Sequence, residues 1–334
     1  MGSKIALKNA QDQEFSINHN DNAGAISINS SDISLKSQTE SEIAPYNKGF
    51  KNQIINGSFD IWQRGANIVA NSTTSLYTAD MWLAAQFGAG GIQTISVNSA
   101  NLPNKNARSL KSLQTTACAN RIVQILENDN SYKIRGNKLT ISFWYKAKGT
   151  FYAKFNERTD QQTLSTHFGT TPPVFVGSTI GSFTGIADET WRYCQFTTNT
   201  TNSNGYFHLI FEQVPGINNY FEITEVQLEE GSVATPFENR PIGLEVSLCQ
   251  RYYQIVRQRI IQSQTTGEYT SISTTLPVPM RIAPIVMEQQ VLTSVNVATN
   301  TIAVSDSYNF SRQVIAAGNN VTDSDIIYKL SAEL

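Results

Sequence analysis

Five carboxylates, Asp60, Glu222, Glu225, Glu229 and Glu230, are the acid–base candidates that the sequence groups together. They fall in two stretches, NQIINGSFDIW at 52–62 and YFEITEVQLEEGSVATPF at 220–237. Glycoside hydrolysis needs two carboxyls about 5–10 Å apart across a sugar cleft. The plainer reading, solvated charges on strands and turns, is the one adopted, so the chain is expected not to be an enzyme. His19, His167 and His208 are isolated from one another and support no Ser-His-Asp set. Cys118, Cys194 and Cys249 are an odd number with no CxxC spacing. They read as small buried hydrophobes.

Aromatic rings are the other chemical resource, because they stack on the C–H faces of sugars. In KLTISFWYKAKG, Leu139, Ile141, Phe143 and Tyr145 alternate, which sends Ser142, Trp144 and Lys146 to the opposite face of the strand. In TFYAKFNE, Phe151, Ala153 and Phe155 alternate against Tyr152 and Lys154. Read as neighbours, the two strands expose Trp144, Tyr152, Lys146 and Lys154 as one carbohydrate-binding platform. Its lysines would hydrogen-bond hydroxyls or acidic sugars. The alternative for Trp144 is packing under a loop or against a sister subunit. Trp62, Trp82 and Trp191 are expected in the core.

The elements that position these residues are strands. Apolar residues make up 40% of the chain and charged residues 16%, with a net charge of −2. Asn, Ser and Thr supply the remaining polarity, which suits turns and half-buried pleated surfaces. The charge balance offers no footprint for nucleic acid or an anionic membrane. No apolar run reaches eighteen residues, so no membrane insertion is expected. The opening residues lack a signal core, so synthesis and assembly in a cytoplasm are expected.

Three pieces are read. Residues 1–48 hold the short alternations KIALK, FSINH and GAISINS, a β-arm ending in a polar linker. Residues 49–238 form the main domain, an all-β sandwich whose first and last strands are the two stretches named above. Residues 239–334 begin with a helix, PIGLEVSLCQRYYQIV, with Pro241 at its start and Leu244, Leu248, Arg251 and Tyr252 on one face. A small β-domain follows, with Thr299-Asn300 as a hairpin turn.

INGSFDIWQRG at 55–65, YTADMWL at 77–83, the long run FEITEVQLEEGSVATPFENRPIGLEVSLCQRYY at 221–253 and VPMRIAPIV at 278–286 resemble a family of bacteriophage tail-fibre and virion-appendage proteins. The opening MGSKIALKNAQDQEFSINHNDNAGAISINSSDI resembles the attachment segment of head- or tail-fibre proteins of short-tailed phages. The resemblance implies a galactose-binding-like jelly roll and a structural role on the virion. It implies docking on capsid, portal or tail through residues 1–48, adhesion to a host-surface glycan, and a homotrimer. It also implies a structural calcium ion where first and last strands meet, with Asp60 and Glu225 as matching positions and Asn56 as a third oxygen donor. The chain is too short for a β-helical depolymerase spike. A glycan-cleaving enzyme and a stand-alone carbohydrate-binding module are the alternatives.

Overall fold

The computed structural model describes strands at 4–8, 14–19 and 26–27 and residues 50–71, 76–87, 91–104, 108–126, 131–158, 178–201 and 206–332. The chain divides into two compact units, Met1–Lys51 and Asn52–Leu334. In the first, β1 (Lys4–Lys8), β2 (Glu14–His19) and β3 (Ile26–Ser27) form one antiparallel sheet in the order of the chain.

The second unit opens on 52–62, which the alternation predicts as a strand. It is a turned segment instead, with Asn56 and Phe59 at φ +55° and +57°. The Asn56 side chain explains the departure. Its amide donates to the carbonyls of Ile61 (2.9 Å) and Asp80 (3.0 Å), and its oxygen accepts the Ile61 N–H (3.1 Å). Such local side-chain bonds compete with a strand ladder. Gly57 brings the segment against the sheet, where a Cβ would lie 2.2 Å from the Val226 carbonyl oxygen.

Among the described residues twelve strands follow: β4 (Asn67–Asn71), β5 (Leu76–Tyr77), β6 (Leu83–Phe87), β7 (Ile92–Asn98), β8 (Ser109–Gln114), β9 (Ala119–Leu126), β10 (Lys138–Lys148), β11 (Phe151–Arg158), β12 (Ser178–Gly185), β13 (Arg192–Asn199), β14 (Tyr206–Gln213) and β15 (Tyr220–Glu230). They build two antiparallel sheets, ordered β13-β10-β15-β8-β7-β4 and β12-β11-β14-β9-β6-β5. The pairs β8·β15, β9·β14, β10·β13 and β11·β12 match first strand with last, second with seventh, third with sixth and fourth with fifth. That is one long hairpin of eight strands. Rolling it up adds β10·β15 and β11·β14, which closes a jelly-roll β-sandwich.

The inward positions are those that the alternation assigns. Phe143, Tyr145, Phe151, Phe155, Phe207, Phe211, Phe221 and Trp82 are buried together between the sheets. Phe143 meets Phe211 edge-on at 5.0 Å. Burying each such ring contributes about 1.5–3 kcal/mol. The three cysteines are free and buried, and burial pushes the Cys194 thiol up to about 12.

Helix α1 (Ile242–Gln250) starts directly after Pro241. It does not lie free. Cys249 and Tyr252 pack with Ile55, Ile61 and Met81 on Val123, Ile125 and Ile210, the outward positions of β9 and β14. The buried helical residue beside Cys249 is Glu245. It takes two bonds from Arg240 (3.2 and 3.1 Å) and the backbone N–H of Asn56.

The remaining strands are β16 (Tyr253–Gln264), β17 (Tyr269–Thr275), β18 (Ile285–Val295), β19 (Val297–Ser305), β20 (Asn309–Ala316) and β21 (Asn320–Ser331). They form two three-stranded sheets, β16-β21-β18 and β17-β20-β19, around Phe310, Tyr328, Ile326 and Leu330. The expected Thr299-Asn300 turn lies inside β19. The chain turns at Asn296, at φ +55°, whose amide donates to the Gly318 carbonyl at 2.8 Å. It passes there from one sheet to the other and makes no hairpin.

Candidate functional site

The expected four-residue platform does not form. Trp144 and Lys146 are on β10, whereas Tyr152 and Lys154 are on β11, and these strands belong to different sheets. Each pair does point outward, as alternation requires, but from opposite sides of the sandwich. The short link Gly149–Thr150 is an arch and not a hairpin turn. Gln213 locks it, its amide donating to the carbonyls of Lys148 (2.5 Å) and Tyr220 (3.0 Å). On the β11 side Lys154 is paired with Glu212 (3.2 Å), which Arg121 also holds (2.8 Å), and its ammonium sits 5.4 Å from the Tyr152 ring.

The β10 side gathers a different company. β13 places Tyr193 beside Trp144, with ring centroids 5.4 Å apart, and Tyr193 is 47% exposed. Trp144 is half-buried, and its side chain hydrogen-bonds Glu225. Glu225 sits on a bulge of β15 at φ +51°, where the register against β10 slips between Ser142 and Trp144. Both its carboxylate oxygens accept from Asn104 Nδ2, at 3.0 and 2.9 Å. Burial raises the Glu225 carboxyl above the usual range, and the bonds from Asn104 and Trp144 oppose that rise.

Next to this pair, Glu222 is 2% exposed and holds Lys146 at 3.0 Å and Lys111 at 3.8 Å. It also accepts from Asn98 Nδ2 at 2.8 Å. Lys146 lies 5.1 Å from the Trp191 ring, and Lys111 lies 4.5 Å from the Tyr220 ring. Trp191, expected in the core, is half-buried on this outer side, and its indole N–H donates to the Asn101 carbonyl at 2.5 Å. Trp82 is fully buried as expected, and Trp62 packs partly exposed on the same core. The far end of the face is closed by the chain itself: Thr235 donates to Glu229 through its N–H (2.8 Å) and hydroxyl (2.6 Å).

Sequence reasoning missed Tyr193. In WRYCQFTT aromatic residues fall on both parities, so alternation alone does not give the inward face. The signal was Cys194. As a small hydrophobe it goes inward, and it is 4% exposed in the core, so Tyr193 must face out.

The residues named for calcium do not fit one ion. Asn56 is fully buried and its oxygen already accepts a backbone N–H. Asp60 accepts the Ser58 hydroxyl at 2.6 Å. Glu225 is turned toward Asn104 and Trp144. Among the described residues no group of three or more His, Cys, Asp and Glu side chains is arranged to hold a metal ion, and no helix is long and apolar enough to cross a membrane.

No protein-family model matches the chain, and no curated protein does either. Among solved structures, the enzymatically active domain of bacteriophage CBA120 tailspike protein 4 aligns at TM-score 0.37 and 15% identity, over 54% of this chain and 21% of that one. The CBM22-1 xylan-binding domain of Paenibacillus barcinonensis Xyn10C aligns at 0.32 and 15%, over 51% of this chain and 98% of that one. TmCBM61, solved with β-1,4-galactotriose, aligns at 0.32 and 12%, over 54% and 99%. The jelly-roll assignment for this chain stands on its own strand order.

Proposed function

We propose that the chain is a structural appendage of a bacteriophage particle, a tail fibre or head fibre, whose jelly roll adheres to a glycan on the host surface. The observation that carries the adhesive reading is the Trp144–Tyr193 pair. It is an outward aromatic surface on two paired strands of a rigid sheet, bordered by hydrogen-bonding carboxylates. Rings held this way stack on sugar C–H faces with little ordering left to do on binding. Rigid elements also hold a site more accurately than loops do.

The virion role rests on the resemblance of the opening segment and of 221–253. Its support in the fold is that the chain divides at Lys51 into two compact units, the first holding the attachment-like segment. The homotrimer rests on that resemblance too. Binding without hydrolysis is the reading of the acidic residues, since Glu222, Glu225 and Glu229 each hold structural hydrogen bonds.

The test is binding of the purified chain to envelope glycans of a host bacterium, with Tyr193→Ala alongside. Bound glycan that Tyr193→Ala releases supports the reading. Release of reducing sugar would replace it with an enzyme, and a monomeric mass in solution would remove the trimer.

A further inference from the structure

The adhesive reading leaves open which glycans the face admits, and its ion pairs bear on that. On the outer side of β10 and β8, Lys146 and Lys111 are both bound to the same Glu222 oxygen, and Lys138 and Lys148 stand exposed at the two ends of β10. Lys146 and Lys111 each also lie over an aromatic ring. Drawing Lys146 away toward an anionic ligand would weaken the pairing of a carboxylate that is 2% exposed, and such a loss is strongly unfavourable. Arg192, at the edge, is held by Asp188. Arg108 is turned the other way and donates to the Asp60 carbonyl at 2.8 Å.

What stands beside the aromatic pair is an acceptor. Glu225 is 9% exposed, and the exposed Asn104 amide lies across both of its oxygens. The single Asn104 nitrogen spans both oxygens, at 3.0 and 2.9 Å, so both are turned to the same side, where each can accept a hydroxyl.

We propose that the Trp144–Tyr193 face takes a neutral glycan, one ring stacked on the aromatic pair and neighbouring hydroxyls donated to Glu225 in place of Asn104, and that it discriminates against glycans bearing carboxylates. The proposal rests on the adhesive reading of this face and narrows its ligand class. A ligand carboxylate would meet Glu225 as a like charge and would find Lys146 and Lys111, the lysines beside Glu222, engaged. A hydroxyl faces neither penalty.

The experiment measures binding of the full chain to neutral oligosaccharides and to length-matched oligosaccharides containing uronic or sialic acid, at low and high salt. Wild type, Glu225→Gln and Tyr193→Ala are compared after circular dichroism has established that each is folded. Binding confined to neutral oligosaccharides, insensitive to salt and weakened about tenfold or more by Glu225→Gln, supports the proposal. Tighter, salt-sensitive binding of the acidic set overturns it and leaves the adhesive reading in place. Unchanged affinity in Glu225→Gln, with loss in Tyr193→Ala, also overturns the role of Glu225 while keeping adhesion. Absence of binding to either set by wild type overturns the adhesive reading and the proposal with it.

Discussion

On the β12-β11-β14-β9-β6-β5 sheet the outward positions at its middle are Val123, Ile125 and Ile210, and the chain covers them with α1, Tyr252 and the 55–61 segment. On the β13-β10-β15-β8-β7-β4 sheet the corresponding positions are Trp144, Tyr193, Lys146, Glu222 and Glu225, and among the described residues they are met by the amides of Asn98 and Asn104 and by the Trp191 ring beside Lys146. Both faces obey one rule, alternation across a pleat. They differ in which side chains the rule turns outward. Aliphatic residues there demanded a second small core. Aromatic and ionic residues left a face held together by ion pairs and hydrogen bonds instead. The jelly roll thus has one face covered by its own chain and one that carries the aromatic pair proposed above as the glycan site.

The largest effect should come from uncovering the closed face. Tyr252 is 1% exposed in that second core. Tyr252→Ala should cost about 3–5 kcal/mol, as aromatic truncations in cores do. A urea titration followed by fluorescence measures it. A loss under 1 kcal/mol would mean that the helix is only laid on the sheet and that the two faces differ less than described.

On the open face the two readouts should separate. Trp144→Ala should weaken glycan binding by about 2 kcal/mol or more, the scale of a truncated hot spot, while the melting temperature changes little. Tyr152→Ala and Lys154→Ala, on the closed side, should leave binding within about 0.5 kcal/mol of wild type. Isothermal titration and thermal melts on the same three variants decide it. A large fall in melting temperature for Trp144→Ala would make Trp144 a packing residue. A binding defect in Tyr152→Ala would move the site to the other sheet.

How much of this was legible follows from what alternation encodes. It tells inside from outside within one strand, and it placed Phe143, Tyr145, Phe151 and Phe155 inward and Trp144, Lys146, Tyr152 and Lys154 outward. It does not tell which sheet a strand joins. That choice lies in the arch at Gly149, whose lock, Gln213, comes from a strand 64 residues further on. No local pattern carries it. The 52–62 segment misled for a related reason. Its apolar spacing is that of a strand, but Asn56 satisfies its own neighbours' backbone groups and bends the chain. The ion pairing of Lys146 with Glu222 depends on β15 pairing with β10, a contact between distant residues that composition cannot show.

The smallest effect is a pH dependence common to both faces and opposed in the C-terminal strands. Asp80, beneath the 55–64 segment, is 1% exposed; burial raises its carboxyl, against the lowering influence of Arg64 at 3.0 Å. Glu225 on the open face is raised by burial as well. A carboxyl raised on folding binds its proton more tightly in the native state than in the unfolded chain. Its contribution to stability is therefore full below the ordinary carboxylate range and is lost as pH rises through the raised value. The advantage of wild type over Asp80→Asn, and over Glu225→Gln, should grow on acidification from neutral pH. Asp325 is the opposite case. The hydrogen bond from Arg257, at 2.5 Å, holds its carboxyl below the ordinary range. Its contribution is present above that range and is lost as pH falls through the depressed value, so the advantage of wild type over Asp325→Asn should shrink on acidification. Urea midpoints for the four proteins between neutral and mildly acid pH supply the comparison. Parallel trends in all three variants would show that burial does not govern Asp80 and Glu225, and that the two faces of the sandwich hide no carboxyl of the kind described.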